Sequence, residues 1–475
     1  MSETLSAEPN CVERQAILRG DNGDMQLPNP IQNMAPEPRP HELQTTFSEE
    51  KDDDTRRLRK IRSLSSTSVP KTGSAKKRRT SRTDAMFWEI DYLSKEHLTG
   101  FDNYKYSAID TSPLSNYVMH PFWNQVVKLV PISIAPNCLT FGGFLLNVVS
   151  VVLLSWYDFS FYASSNDHAS SPVPLWVWLL CAFNQFMAHT LDGIDGKHAR
   201  RTGLCGPMGE LFDHGLDSWA TLFMPLCVYS VFGRLDYSAT PWRFYLILWN
   251  VHYCFLSSHW EKYNTGILFL PWGYDVSQVF LTATFLITYF ESHNYWKFTL
   301  FGLPSGFYME TALHIGAVGL SLPVSLWNIY RAFKTKTLKQ KSLWEGMRPL
   351  VSPTIFFALT TAWVLFSPTN ILEAQPRVLF IMIGTLFSNI ATRLIINQMT
   401  NTRCEISNGL LVLVSMTLVA VFQFGYSEVA CLYFLTACVL VAHIHYGTCV
   451  VRQMCDHFRI NCFSVQRREP KKREA

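Results

Sequence analysis

The run Leu139-Thr140-Phe141-Gly142-Gly143-Phe144-Leu145-Leu146-Asn147-Val148-Val149-Ser150-Val151-Val152-Leu153-Leu154-Ser155-Trp156 contains no Asp, Glu, Lys or Arg. A helix rises about 1.5 Å per residue and needs about 20 apolar residues to cross the hydrocarbon of a bilayer, so this stretch reads as a membrane span. Comparable runs, separated by polar joints, begin near Leu139, Pro174, Leu211, Trp242, Val276, Thr311, Leu350, Val378, Leu410 and Ala430. The pattern predicts an all-α, polytopic membrane helix bundle of about ten transmembrane helices. The third run is rich in polar residues and would score poorly alone. A membrane helix keeps such residues where they face protein or water and serve a function.

Composition agrees with a membrane bundle that carries a polar tail. A chain of 475 residues that is 48% hydrophobic and 14% aromatic is too apolar for a soluble domain, and 16% charged residues is too many for a purely membranous one. A net charge of +4 gives no ground for nucleic-acid binding. Residues 1–84 lack sustained apolar periodicity and read as a disordered cytosolic tail. The tail's acidic block Glu49-Glu50-Lys51-Asp52-Asp53-Asp54 gives way to Arg56-Arg57-Leu58-Arg59-Lys60 and Lys76-Lys77-Arg78-Arg79. It reads as a solvated charge run, or as a surface for anionic lipid regulated at Ser63, Ser65 or Ser66. Residues 85–137 form an interfacial segment in which Phe122, Trp123, Val126, Val127 and Val130 share one helical face. Residues 138–452 are the transmembrane domain, and 453–475 a basic cytosolic C-terminal tail. The cysteines show no C-x-x-C spacing and read as small core residues. With no signal-peptide pattern at the N-terminus, the first span is expected to do the targeting.

Orientation follows from the joints. Arg331, Lys334, Lys336, Lys339, Lys341 and Arg348 crowd one of them, whereas the joint from Asp158 to Val173 has no Lys or Arg. Positive-inside bias places the first in the cytosol, and an even number of spans puts both termini there too. The joint between the second and third spans is then cytosolic.

That joint holds the chemistry: Asp192-Gly193-Ile194-Asp195-Gly196-Lys197-His198-Ala199-Arg200, then eight residues, then Gly209-Glu210-Leu211-Phe212-Asp213-His214-Gly215-Leu216-Asp217. Asp192 and Asp195 are three apart at the end of one helix, and Asp213 and Asp217 four apart at the start of the next, so each pair shares a helical face. A short turn between antiparallel helices brings the pairs together. Four carboxylates in one pocket repel one another unless cations neutralise them, and clustered carboxylate oxygens suit two Mg²⁺ or Mn²⁺ ions. Such ions can hold a nucleotide diphosphate ester for in-line attack and stabilise the departing nucleotide. Gly196 and Gly209 let backbone and phosphate approach closely. Arg200 fits pairing with phosphate, with a lipid headgroup or with a carboxylate.

The spacing Asp192-x2-Asp195-Gly196-x2-Ala199-Arg200-x8-Gly209-x3-Asp213-x3-Asp217 resembles the signature of the CDP-alcohol phosphatidyltransferase family at every fixed position. The likeness runs from about Tyr104 to Phe463 and favours the ethanolamine branch of the choline and ethanolamine enzymes. It rests on stretches such as Val118-Met119-His120-Pro121-Phe122-Trp123-Asn124, Ser258 to Asp275 and Ala442-His443-Ile444-His445-Tyr446-Gly447. The resemblance implies that Asp192, Asp195, Asp213 and Asp217 are metal ligands, that Asn137 and Glu210 contact the CDP-alcohol, and that His214 is the proton acceptor. An imidazole suits that role better than four metal-bound carboxylates do. Glu261 and Asp275 are rivals for orienting His214 or meeting the substrate ammonium. His443 and His445 read as packing residues.

The implied reaction moves phosphoethanolamine from CDP-ethanolamine to diacylglycerol, giving phosphatidylethanolamine and CMP. A choline or dual-specificity enzyme is the alternative within the class. A cation transporter is the alternative outside it, because intramembrane acids also mark ion pathways. The resemblance further implies a homodimer in the endoplasmic reticulum membrane, with the Golgi as the alternative.

Overall fold

The computed structural model describes residues 90–110, 112–165, 171–235, 237–270 and 273–466, so the polar tail expected over 1–84 lies outside the described residues. The described chain is helical apart from two pairs of very short strands. Two helices precede the bundle: α1 (Lys95–Asp102), capped by Ser94, and α2 (His120–Leu129), entered through a π-helical turn over Ser115–Met119. In α2, Trp123 and Val127 turn inward while Leu129 is exposed.

Ten longer helices then occupy the ten apolar runs. They are α3 (Pro136–Tyr157), α4 (Leu175–Thr202), α5 (Pro207–Phe232), α6 (Pro241–Thr265), α7 (Gly273–Glu291), α8 (Ser305–Lys334), α9 (Leu343–Phe366), α10 (Pro376–Thr400), α11 (Gly409–Phe424) and α12 (Glu428–Phe458). Proline stands at the start of α3, α5, α6 and α10, where its missing N–H costs nothing and its fixed φ favours the first turn. Six of the ten, α3, α5, α8, α9, α10 and α12, are long and apolar enough to cross a membrane. The acids and bases at the end of α4 and the His, Glu and Lys of α6 lower their hydropathy, and α11 has only 16 residues.

The centre of the bundle is α10, in which nearly every side chain is buried, and α8 lies at its periphery. Side chains such as Val152, Trp156, Phe183, Phe290 and Trp327 point outward and are exposed, as on a lipid-facing surface. At one end of the bundle the buried Arg377 ties the joint after α3 to α5. It donates to the carbonyls of Asp158 at 2.6 Å and Phe159 at 2.9 Å, and to Ser230 Oγ at 2.9 Å, and it lies 3.9 Å above the Phe161 ring.

Two features shape the other end. Gly203 closes α4 in the left-handed region, φ 69°, and α5 starts four residues later, which makes the tight antiparallel turn expected from the sequence. Strand β1 (Ala108–Asp110) pairs in parallel with β2 (Leu268–Leu270), so the chain ahead of α2 is stitched to the joint between α6 and α7. The C-terminal helix α12 continues to Phe458. Beyond it the chain turns back on α3, where Asn137 Nδ2 donates to the Cys462 carbonyl at 3.1 Å and Phe463 packs against Phe141 and Phe212.

Candidate active site

The turn at Gly203 brings the last three turns of α4 against the first three of α5. Ligand oxygens of Asp192, Asp195 and Asp213 come within 4.8 Å of one another, and so do ligand atoms of Asp213, His214 and Asp217. Asp213 belongs to both groups, so the arrangement is two adjoining sites with a shared carboxylate. No Lys or Arg among the described residues is ion-paired with any of the four acids, and Asp213 Oδ1 is buried without a hydrogen-bond partner. A buried carboxylate oxygen with no donor is costly unless a cation meets it. The donor set is oxygen-rich, with one imidazole at hand, and the spacing suits a hard divalent ion with bonds of about 2.1 Å.

Neighbouring helices hold these acids in place. Thr140 of α3 donates its hydroxyl to Asp195 Oδ2, and Tyr274 of α7 donates to Asp192 Oδ2 at 3.1 Å. Gly193 lies under the indole of Trp123. A Cβ there would fall 2.2 Å from a ring carbon, so only glycine lets α2 approach α4 this closely. Glu210, one turn before the acids on α5, is met by Lys262 Nζ at 2.5 Å and by the Tyr104 hydroxyl at 2.6 Å. The lysine is buried and lies 5.5 and 5.3 Å from the rings of Tyr104 and Tyr106. Burial, then the charge of Glu210, raises the Tyr104 phenol well above its usual range, so it remains the donor.

His214 faces α6. Its ring meets that of His259 edge to face at 5.2 Å, and His259 Nδ1 accepts from Gln398 Nε2 at 3.0 Å. Beside the acids, a small cavity lies between α3, α4, α5 and α7. Asp192, Asp217, Thr140 and Tyr274 line its head, and Phe144, Leu216, Ala220 and Met224 line its apolar walls.

A family model described as CDP-alcohol phosphatidyltransferase matches residues 133–300, the stretch from α3 through α7 that carries all four acids. Ethanolaminephosphotransferase 1 of Homo sapiens is 49% identical over 383 residues, which cover 79% of this chain and 95% of that relative. The chain belongs to the CDP-alcohol phosphatidyltransferase family. Ethanolaminephosphotransferase 1 of Mus musculus is 48% identical over the same shares. Cholinephosphotransferase 1 of Rattus norvegicus is 30% identical over 316 residues, 65% of this chain and 75% of that relative.

Membership of this family makes the chain a transferase, which displaces the transporter alternative. Of the residues the family resemblance points to, the structure gathers Asp192, Asp195, Asp213, His214 and Asp217 at one place. Asn137 stands beside Gly209, with its Oδ1 3.7 Å from where a Gly209 Cβ would be. Arg200 and Gly196 lie at the exposed rim, the guanidinium 3.9 Å from the position of a Gly196 Cβ. Glu261 turns toward α8, where Asn328 donates to it at 2.7 Å, and Asp275 is engaged by His189 and Ser115. The ring facing His214 is that of His259, from the same Ser258 to Asp275 stretch. His443 packs edge-on against Trp219 and bonds Ser388. Sequence reading missed Thr140, His189, His259, Lys262 and Gln398. Lys262 and Gln398 each offered a signal, a polar side chain in an otherwise apolar helix.

Proposed function

We propose that the protein is an ethanolaminephosphotransferase that moves phosphoethanolamine from CDP-ethanolamine to diacylglycerol, releasing phosphatidylethanolamine and CMP. The observation that carries this reading is the juxtaposition of a carboxylate cluster at one end of the bundle with a cavity that leads from it between apolar helix walls. A water-soluble nucleotide ester and a lipid alcohol can thereby meet at one point. The names of the relatives at 49% and 48% identity support the headgroup.

Asp192, Asp195, Asp213 and Asp217 would hold two divalent ions, Mg²⁺ or Mn²⁺, which when bound would neutralise the diphosphate and the charge on the departing nucleotide. Asn137 and Glu210 contact the nucleotide, with Arg200, Gly196 and Gly209 at the phosphates. Diacylglycerol enters sideways along the cavity. His214 removes the proton from its free hydroxyl, and that oxygen forms a bond to the phosphorus bearing ethanolamine. The bond from this phosphorus to the bridging oxygen breaks, and CMP departs with the electron pair. His259, anchored by Gln398, keeps the His214 ring turned toward the acids.

The basic joint after α8 lies beside the end of α6, where the Lys339 amide donates to the Asn264 carbonyl, on the same end of the bundle as the acids. Positive-inside bias then puts the site and both termini in the cytosol, with all ten long helices as spans. The endoplasmic reticulum is the proposed location, with the Golgi as the alternative, and the proposed assembly is a homodimer.

Turnover of the purified protein in detergent tests the reading, with diacylglycerol and either CDP-ethanolamine or CDP-choline, with and without Mg²⁺ or Mn²⁺. Metal-dependent CMP release from CDP-ethanolamine is expected, falling about 10²- to 10⁴-fold in His214→Ala and lost in Asp213→Ala. Equal or greater use of CDP-choline would overturn the headgroup assignment.

A further inference from the structure

Asp275 opens the first turns of α7 beside the metal-site carboxylates without being one of them. It is 7% exposed, its Oδ1 accepts from His189 Nε2 at 2.8 Å, and its Oδ2 accepts from the Ser115 hydroxyl. Its one ion-pair partner among the described residues is that His189 ring, which carries a charge only when protonated, and no Lys or Arg joins it. A carboxylate offers about four lone-pair positions, of which an imidazole and a hydroxyl here take two. Buried carboxylates are ordinarily paired with a cation, and beside a neutral imidazole this one has lone pairs left to meet a further cation.

The position of the pair indicates which cation would complete it. His189 precedes Asp192 by three residues on α4, and Tyr274, next to Asp275, donates to Asp192 itself at 3.1 Å. Along α4, His189 therefore lies about 4.5 Å from a metal-site carboxylate's position. The P–O–C–C–N chain of a phosphoethanolamine unit spans a similar length. His189 and Tyr274, the residues on either side of the Asp275 carboxylate, line the same cavity as Asp192 and Asp217, so Asp275 lies just behind the wall of the space where the reacting ester would lie.

We propose that Asp275, held by His189 and Ser115, is the subsite for the substrate's primary ammonium and selects it over a trimethylated one. This rests on the phosphotransferase reading above. A primary ammonium brings three N–H donors to the lone pairs Asp275 has left, whereas a trimethylammonium brings none and needs an aromatic cage with room for its methyls. The aromatic wall here is already filled. Trp123 meets His189 at 5.4 Å between ring centroids and is pressed against Gly193, and Tyr274 is tethered to Asp192. Discrimination therefore comes from hydrogen bonds the wrong substrate cannot make.

The test compares wild type with Asp275→Asn and His189→Gln in turnover of CDP-ethanolamine and CDP-choline, together with the thermal shift produced by CDP, which has no headgroup, in the presence of Mn²⁺. In Asp275→Asn the KM for CDP-ethanolamine is expected to rise about 10- to 100-fold, the range for a lost hydrogen bond to a charged group. The KM for CDP-choline and the CDP shift are expected to change less than about twofold, so that the preference for ethanolamine collapses. His189→Gln keeps a donor for Asp275 while removing the ring, and is expected to move the preference the same way by a smaller factor. It also decides the matter if Asp275→Asn does not fold. An unchanged preference in the variants, or equal losses with both donors, would overturn the subsite and leave the phosphotransferase reading standing. Failure of the wild type to use CDP-ethanolamine would sink that reading first.

Discussion

Replacing Lys262 with Met should be among the most damaging single changes at the catalytic end of the bundle, and the damage should be largely reversed by a second change. Lys262 and Glu210 are both buried, with side chains 2% and 8% exposed and 2.5 Å between charged atoms. Removing the lysine leaves the carboxylate with the Tyr104 hydroxyl alone, and an uncompensated charge in such a place costs about 3–5 kcal/mol. Each 1.4 kcal/mol is about tenfold in the folded-to-unfolded ratio, so that population should fall by about two to three and a half orders of magnitude. Glu210→Gln in the same chain removes the second charge, and the double variant should return to within about 1 kcal/mol of wild type. Equilibrium unfolding in mixed micelles measures the cycle, and CDP-ethanolamine turnover of the stable double variant measures what Glu210 does for the substrate. A raised KM in that background assigns Glu210 to the nucleotide. The reasoning fails if Lys262→Met costs less than about 1 kcal/mol, or if the double variant is as unstable as the single one.

Gly193→Ala forces a methyl group into the indole of Trp123 and should cost about 1–3 kcal/mol in thermal stability, with a fall in turnover as α2 moves off α4. An unchanged melting temperature would mean that α2 is not seated there. Thr140→Val removes the hydroxyl that orients Asp195 and should raise the metal concentration for half-maximal activity about 10- to 100-fold, read from a Mn²⁺ titration at saturating CDP-ethanolamine. Asp158, in the joint after α3, has its carboxyl pushed up to about 6 by burial, against which the Arg377 guanidinium acts. Because the folded state holds this proton more tightly than the unfolded one, stability should be highest below pH 4, fall as pH rises from 4 to 6, and level off above that. The loss is about 3 kcal/mol at 1.36 kcal/mol per pKa unit. Asp158→Asn should flatten that limb in melts recorded from pH 4 to 7.

Much of the bundle was legible in the sequence because a membrane helix advertises itself locally. Leu139 to Trp156 needs no partner to be recognised, and Gly203 four residues before Pro207 leaves the chain little choice but to turn back. The acid pairs were legible for the same reason, since helical spacing alone puts Asp192 with Asp195 and Asp213 with Asp217 on common faces. Features that depend on helix order were not. Lys262 meets Glu210 from 52 residues away, and the neighbours of His214 depend on which helix packs behind α5. Glu261 and Asp275, the acids the sequence offers for that place, both turn elsewhere, and His259 takes it. The return of Cys462 onto Asn137 joins the two ends of the membrane domain, and no periodicity reports such a contact.

The parallel pairing of Ala108 with Leu268 sets an order on assembly. The two strands are 160 positions apart, so the segment carrying Tyr104 and Tyr106 cannot dock over the site until α6 and the joint after it have left the ribosome. The four acids, by contrast, lie on adjacent helices and come together as soon as α5 is inserted. During synthesis the site therefore passes through a stage in which its carboxylates are gathered but not yet roofed, and a cation could enter then without crossing a finished protein. A chain with the 268–270 strand disrupted should stay in that open stage, its acids reachable from the aqueous side and slow to keep what they bind.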